Sequence, residues 1–223
     1  MATITIPKRQ YVVLRKVTDL SGPQFDELLK GLNELEASLS PLQFSKHLSE
    51  KSKTIPQDDI KSFVGLLCGL YPVKENNNKT ASQIAADLKE TAQDEKPLFF
   101  TPEKAAILEQ RMTRLLSIDK AIAVTAKAHD VVTEHQHVFC AARIFSDIRP
   151  VFSASADVVS AAVVVHTLNI AYHEAGEHKE FYVAMDKTDI DSLKKVIERA
   201  EKKAKALHLI IKQSAVTNLD EGA

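Results

Sequence analysis

The sequence predicts an α+β protein: an N-terminal helical bundle, a long connecting helix, and a C-terminal three-stranded antiparallel sheet capped by a long C-terminal helix. Three observations carry that reading. Helix-start signals recur through the first hundred residues, and no glycine or proline lies between Glu103 and Arg149. Period-two alternation clusters only in residues 143–186, and it gives way to apolar steps of three and four up to Ile211. The corresponding divisions are 1–100 for the bundle, 101–142 for the connecting helix, 143–214 for the strand-helix module and 215–223 for a disordered tail.

The four early helix starts share one pattern. Ser21-Gly22-Pro23-Gln24, Ser40-Pro41-Leu42-Gln43, Thr54-Ile55-Pro56-Gln57 and Thr80-Ala81-Ser82-Gln83 all fit S/T-x-x-Q, and three hold a proline near the first turn. They open helices over about Pro23–Ser38, Pro41–Glu50, Pro56–Leu70 and Ala81–Thr91, with Tyr71-Pro72 ending the third. The segment ahead of them, Gln10 to Val17, reads equally as strand or helix. Thr101-Pro102-Glu103 opens the connecting helix, which runs to about Glu134; at ~1.5 Å per residue it would span ~50 Å.

The first strand is expected over Arg143–Phe152, with Ile144, Ile148 and Phe152 on one face and Arg143, Asp147 and Arg149 on the other. Pro150 places that end at an edge, at a bulge or past the sheet. Ser153–Asp157 reads as a loop. The second strand, Val159 to Tyr172, is β-branched and apolar on both faces near its middle. His173-Glu174-Ala175-Gly176-Glu177-His178 is a hairpin connection. The third strand, Lys179 to Asp186, points Phe181, Val183 and Met185 one way and Tyr182 and Ala184 the other.

Three strands with one apolar face need a cover. The last helix, opening at Thr188-Asp189-Ile190-Asp191, supplies a narrow seam of Ile190, Leu193, Ile197, Ala200, Ala204, Leu207 and Ile211. The expectation is that this seam lies on the sheet; a coiled-coil partner is the sharper alternative.

The order β-β-β-α at the C-terminus, on Arg143–Phe152, Val163–Tyr172, Phe181–Met185 and the helix from Thr188, resembles the COMM domain and covers roughly a third of the chain. Where that family usually carries a tryptophan in its first strand, this chain has Ile148-Arg149-Pro150. In that family the module follows a helical N-terminal domain. The resemblance implies a pair of modules embracing through sheets and helices, burying Val163, Val165, Phe181, Ile197, Ala200, Ala204 and Leu207. The chain also resembles uncharacterised bacterial proteins carrying a similar DIRPVF…VVVHTL run, which implies no activity.

Composition narrows the chemistry. The chain has 223 residues, 44% of them hydrophobic and 26% charged, with a net charge of -1. That balance gives no general attraction to nucleic acid or to anionic membranes. No apolar run approaches the ~18–20 residues of a membrane span. The N-terminus has no signal-peptide core, so a cytoplasmic protein is expected. Cys68 and Cys140 sit among apolar residues, as buried free thiols would.

His129, His135, His137 and Cys140 lie close in sequence, but their spacing does not converge on a tetrahedral metal site. No metal or cofactor is expected. Glycine-rich phosphate loops, H-E-x-x-H and G-x-S-x-G are absent, and no Ser/His/Asp grouping stands out, so catalysis is the less favoured class. The leading expectation is a non-catalytic interaction or scaffold protein that forms a homodimer or homo-oligomer through its C-terminal module. The alternative is an anionic-ligand binder or enzyme, with a pocket between bundle and sheet lined by Asp147, Arg149 and His166. Asp147 and Arg149, two apart on one strand face and ~7 Å from each other, have the spacing of an ion pair or an anion contact.

Overall fold

The computed structural model describes residues 6–94, 100–174 and 176–219. Residues 220–223 of the expected tail, and Ala175 of the expected hairpin, lie outside them. Among the described residues the order is seven helices, three strands and one last helix, an α+β arrangement. The chain divides into two compact units, one reaching Val132 and the other Thr133–Asn218.

The first unit is the helical one. It holds α1 (Lys8–Asp19), α2 (Gly22–Glu34), α3 (Pro41–Lys51), α4 (Gln57–Asn76), α5 (Ala81–Asp94), α6 (Pro102–Leu116) and α7 (Ala121–Thr133). The ambiguous segment at Gln10–Val17 is therefore helix, with Tyr11, Leu14 and Val17 on its buried side.

The S/T-x-x-Q reading holds at three of its four sites. Ser21 and Gln24 form a reciprocal capping box, Thr80 and Gln83 another, and Ser40 accepts from the Gln43 N–H. At the fourth, Pro56 is the cap residue and no side chain caps the helix. Thr54 is used elsewhere: its hydroxyl and backbone N–H both donate to Glu27.

The hydrophobic core lies within this unit. Leu14, Leu28, Leu32, Phe44, Leu48, Ile60, Phe63, Leu67, Ile84, Leu88 and Leu108 are its largest fully buried side chains. Helices α2 and α3 approach closely at Gly31, where a Cβ would collide with a terminal methyl carbon of Leu48. Helix α6 is tied to α1 and α2 by arginines. The Arg111 guanidinium donates to the Val17 carbonyl at 2.7 Å, and Arg111 and Arg114 lie 4.9 and 5.1 Å from the centre of the Phe25 ring.

Helix α2 stops at Glu34, short of the expected Ser38, and α5 runs on to Asp94; two further departures adjoin each other in space. Helix α4 passes through Pro72 and ends at Asn76, although Pro72 has no N–H to donate to the carbonyl one turn back. The expected continuous helix from Thr101 to Glu134 is two helices, α6 and α7, parted at Ser117–Lys120. The two departures meet in one set of contacts. Tyr71 and Lys74, either side of Pro72, reach the end of α6: the Tyr71 hydroxyl bonds the carbonyls of Leu115 and Ile118, and the Lys74 ammonium bonds that of Leu116 at 3.2 Å. A helix end needs partners for its last carbonyls. Here another helix supplies them, so neither glycine nor proline marks the break.

The second unit holds β1 (Val138–Phe152), β2 (Val159–Glu174), β3 (Glu177–Met185) and α8 (Lys187–Lys212). The strands form an antiparallel sheet in the order β1-β2-β3. Strand β1 begins five residues before the expected Arg143, so 138–142 are strand and not part of a connecting helix.

The β1–β2 connection is the expected loop. Asp157 accepts from the Ser155 and Ser153 hydroxyls, which hold its carboxyl below the usual range. Ala156 adopts φ 60 there. The β2–β3 connection is two residues between Glu174 and Glu177, and Gly176 supplies the positive φ of 84. Helix α8 starts earlier than expected: Asp186 is the N-cap and forms a capping box with Asp189.

Candidate interaction surface

In an antiparallel ladder, directly paired residues point to the same side, so the register sorts the sheet into two faces. One face carries the rows Ala142–Ile170–Phe181, Ile144–Leu168–Val183 and Ser146–His166–Met185, with Ile148 opposite Val164. His166 is the only titratable side chain in those rows, and its Nδ1 lies 2.7 Å from the Ser146 hydroxyl.

The other face carries the charged residues of β1, alongside Phe145 and Val151. It carries Arg143–Asn169–Tyr182, Asp147 opposite Val165, and Arg149 opposite Val163. Glu180 binds that face together by accepting from Tyr182 at 2.8 Å and Asn169 at 3.2 Å. These bonds lower its carboxyl below the usual range, Tyr182 contributing most.

This register corrects two groupings. Asp147 and Arg149 lie on the charged face and His166 on the apolar one, so the three do not converge on a ligand. No ion pair joins Asp147 to Arg149 among the described residues. Likewise Val163 and Val165 lie on the face opposite Phe181, so one flat contact cannot bury all three.

The apolar face is open. Ile148 is 74% exposed, Val164 53%, Ile144 49% and Phe181 44%. Helix α8 does not cover it: over 26 residues it has no buried side chain. Of the seam, Ile197 and Leu207 are exposed, and only Ile190, Leu193 and Ile211 are half-buried. The expectation that the seam lies on its own sheet therefore fails. At the first turn the chain leaves the sheet from Asp186 and carries the seam away from it.

The loop end of the sheet gathers polar groups. Glu174 accepts from Lys179 at 2.6 Å and from Gln136 at 2.7 Å, and lies 3.2 Å from the His137 Nε2. Lys179 first, then Gln136, pull its carboxyl down to about 2. His137 also stands edge-on to Tyr172, with ring centres 4.8 Å apart. With Phe139, Ile170 and Phe181 these two line a notch of about 250 Å³ on the apolar face. Sequence reading misses this aromatic notch, because Phe139 lies ahead of Arg143, where the first strand is expected to start.

Among the described residues no three His, Cys, Asp or Glu side chains are placed to hold a metal ion. Cys68 is buried, and desolvation raises its thiol to about 11. Cys140 is exposed on β1, contrary to the expectation of two buried thiols.

Among the described residues no helix is long and apolar enough to cross a membrane. No family model matches the chain, and no curated protein matches it.

Proposed function

We propose that this chain is a non-catalytic interaction protein that self-associates, as a homodimer or homo-oligomer, through its C-terminal β-β-β-α module. The observation that supports the reading most is the double exposure of the apolar sheet face and the α8 seam. A helix gains most of its stability from packing its apolar stripe, and α8 packs almost none of its own. Exposed apolar patches beyond a few hundred Å² mark association surfaces.

Charge favours a pairing of helix with sheet between copies. Residues 133–186 hold three Lys/Arg against seven Asp/Glu, a net of -4. Helix α8 holds eight against four, a net of +4. A seam flanked by lysines on a sheet flanked by acids combines apolar burial with attraction at the rim. The COMM-like order of elements agrees with this reading.

Light scattering coupled to size-exclusion chromatography at micromolar concentration tests it. Twice the chain mass or more is expected, and a clean monomer overturns the proposal.

A further inference from the structure

The sheet has a gap in it. Strand β2 is 16 residues long and β3 only 9. Strand β3 pairs with β2 from Glu174 back to His166, where Met185 is its last partner. The next residue, Asp186, already caps α8, so the chain leaves the lane. Residues Val159–Val165 thus have β1 on one side and, among the described residues, no strand on the other. In such a stretch the backbone groups that alternate away from β1 lack ladder partners.

The two outer edges of the sheet carry protection against strand addition. Along β1 stand Arg143, Asp147, Arg149 and Pro150, with register shifts near Cys140 and at Val151/Phe152. Along β3 stand Glu177, Lys179 and Glu180. Charges, proline and bulges are how proteins blunt an open edge. The free stretch of β2 has none of the first two. From Val158 to Val165 it runs Val-Val-Ser-Ala-Ala-Val-Val-Val, with no charge and no proline, and Val163 and Val164 are exposed. A β-branched, uncharged segment left open in this way is a template for aggregation, so its survival in a folded protein requires a standing cover.

We propose that the same stretch of a second copy fills the gap, pairing antiparallel about a two-fold axis near Val163 and joining two sheets into one of six strands. The proposal rests on the self-association reading and specifies where it occurs. The segment matches itself. With Val163 on the axis, Ala161 faces Val165 and Ala162 faces Val164, small against large at each flanking position and no charge to repel. The available length also matches. Five residues lie between Ser160, where the β1–β2 register shifts, and His166, where β3 begins; Val159, on the far side of that shift, bends away from the Met185 end of the other copy's β3. A two-fold contact of this kind closes on itself and leaves this stretch of β2 unavailable to a third chain.

Disulfide trapping in the full chain tests the geometry. Cys140 is replaced by serine, and single cysteines are placed in turn at Ala161, Ala162, Val163, Val164 and Val165. Residues on the axis of an antiparallel pair stand about 4.5–5.5 Å apart by Cα, within disulfide reach. Those two positions away are ~13 Å from their own copies and out of reach. Oxidation is expected to link Val163→Cys into a dimer at least about tenfold faster than Ala161→Cys or Val165→Cys. Amide hydrogen exchange of the unmodified chain gives the second readout, with slow exchange expected across 161–165 on both sides of the strand. A dimer by light scattering with equal trapping at all five positions, or with rapid exchange of the outward amides, overturns the edge pairing and leaves self-association standing. A monomer overturns both.

Discussion

The Tyr71 hydroxyl sits 2.7 Å from the carbonyl oxygen of Ile118, sharing its proton with the Leu115 carbonyl at 3.0 Å. With Lys74, and with the Ser117 and Ile118 N–H groups, this side chain from α4 satisfies carbonyls at the end of α6. Burial first, and Asp119 second, raise its phenol far above the usual range, so the donor stays protonated in the folded protein. Tyr71→Phe leaves two carbonyls without their side-chain donor. The expected cost is about 1–3 kcal/mol, read as a lower urea midpoint with an unchanged denaturant slope.

Glu27 gives the helical unit an acid limb. Its carboxylate accepts from the Thr54 hydroxyl, the Lys53 N–H and the Ser52 hydroxyl, in that order of effect, which lowers its pKa from 4.5 to about 2. A carboxyl depressed on folding contributes stability above its unfolded value and loses it as pH falls through the folded one. The contribution is thus full above 4.5 and fades between there and about 2. Glu27→Gln is expected to lower Tm at neutral pH and to converge with the unmodified chain near the acid end of that window. Thermal melts from pH 7 down to about pH 2 check this; a constant gap across the series contradicts it.

Ala156 at φ 60 pays the penalty of a left-handed residue with a Cβ. Ala156→Gly removes that Cβ in a loop already held by Asp157 and two serines. A gain of about 0.5–1 kcal/mol in chemical denaturation is expected.

The two faces of the sheet predict opposite responses to charge. Ile148→Glu and Val183→Glu fall on the apolar face. Each is expected to weaken self-association by about 2 kcal/mol or more, roughly 30-fold in Kd, or to give insoluble protein. Arg149→Ala and Asp147→Ala, on the charged face, are expected to leave the assembly intact and stability within about 0.5 kcal/mol. Dilution series by light scattering compare the four. Loss of the dimer on Arg149→Ala, with Ile148→Glu still paired, would invert the assignment of faces.

Substitution within the α8 seam separates helix from sheet. Leu207 is 58% exposed in the single chain, so Leu207→Lys removes little from the fold of one copy. An unchanged circular dichroism spectrum of the helical unit with a loss of dimer is the expected outcome. A dimer unaffected by Leu207→Lys assigns association to the sheet alone.

Local chemistry made much of this architecture legible in advance. Ser21, Ser40, Thr80 and Thr101 cap helices because their side-chain oxygens meet backbone donors three residues on, and that depends only on neighbours in sequence. The alternation of Ile144 and Ile148 against Arg143 and Asp147 fixed the two faces of β1 for the same reason. What tertiary structure alone decided involves partners distant along the chain. The break at Ser117 depends on Tyr71 and Lys74 some forty residues earlier. Thr54 left its capping role because Glu27 lies within reach. The separation of His166 from Arg149 is a matter of parity, settled only once the register across β1 and β2 is known. The open lane beside Val163 is a matter of strand length, settled where Asp186 turns the chain into α8. Amphipathic pattern specifies that the α8 seam must be covered; it does not specify by which surface, because apolar burial has no direction of its own.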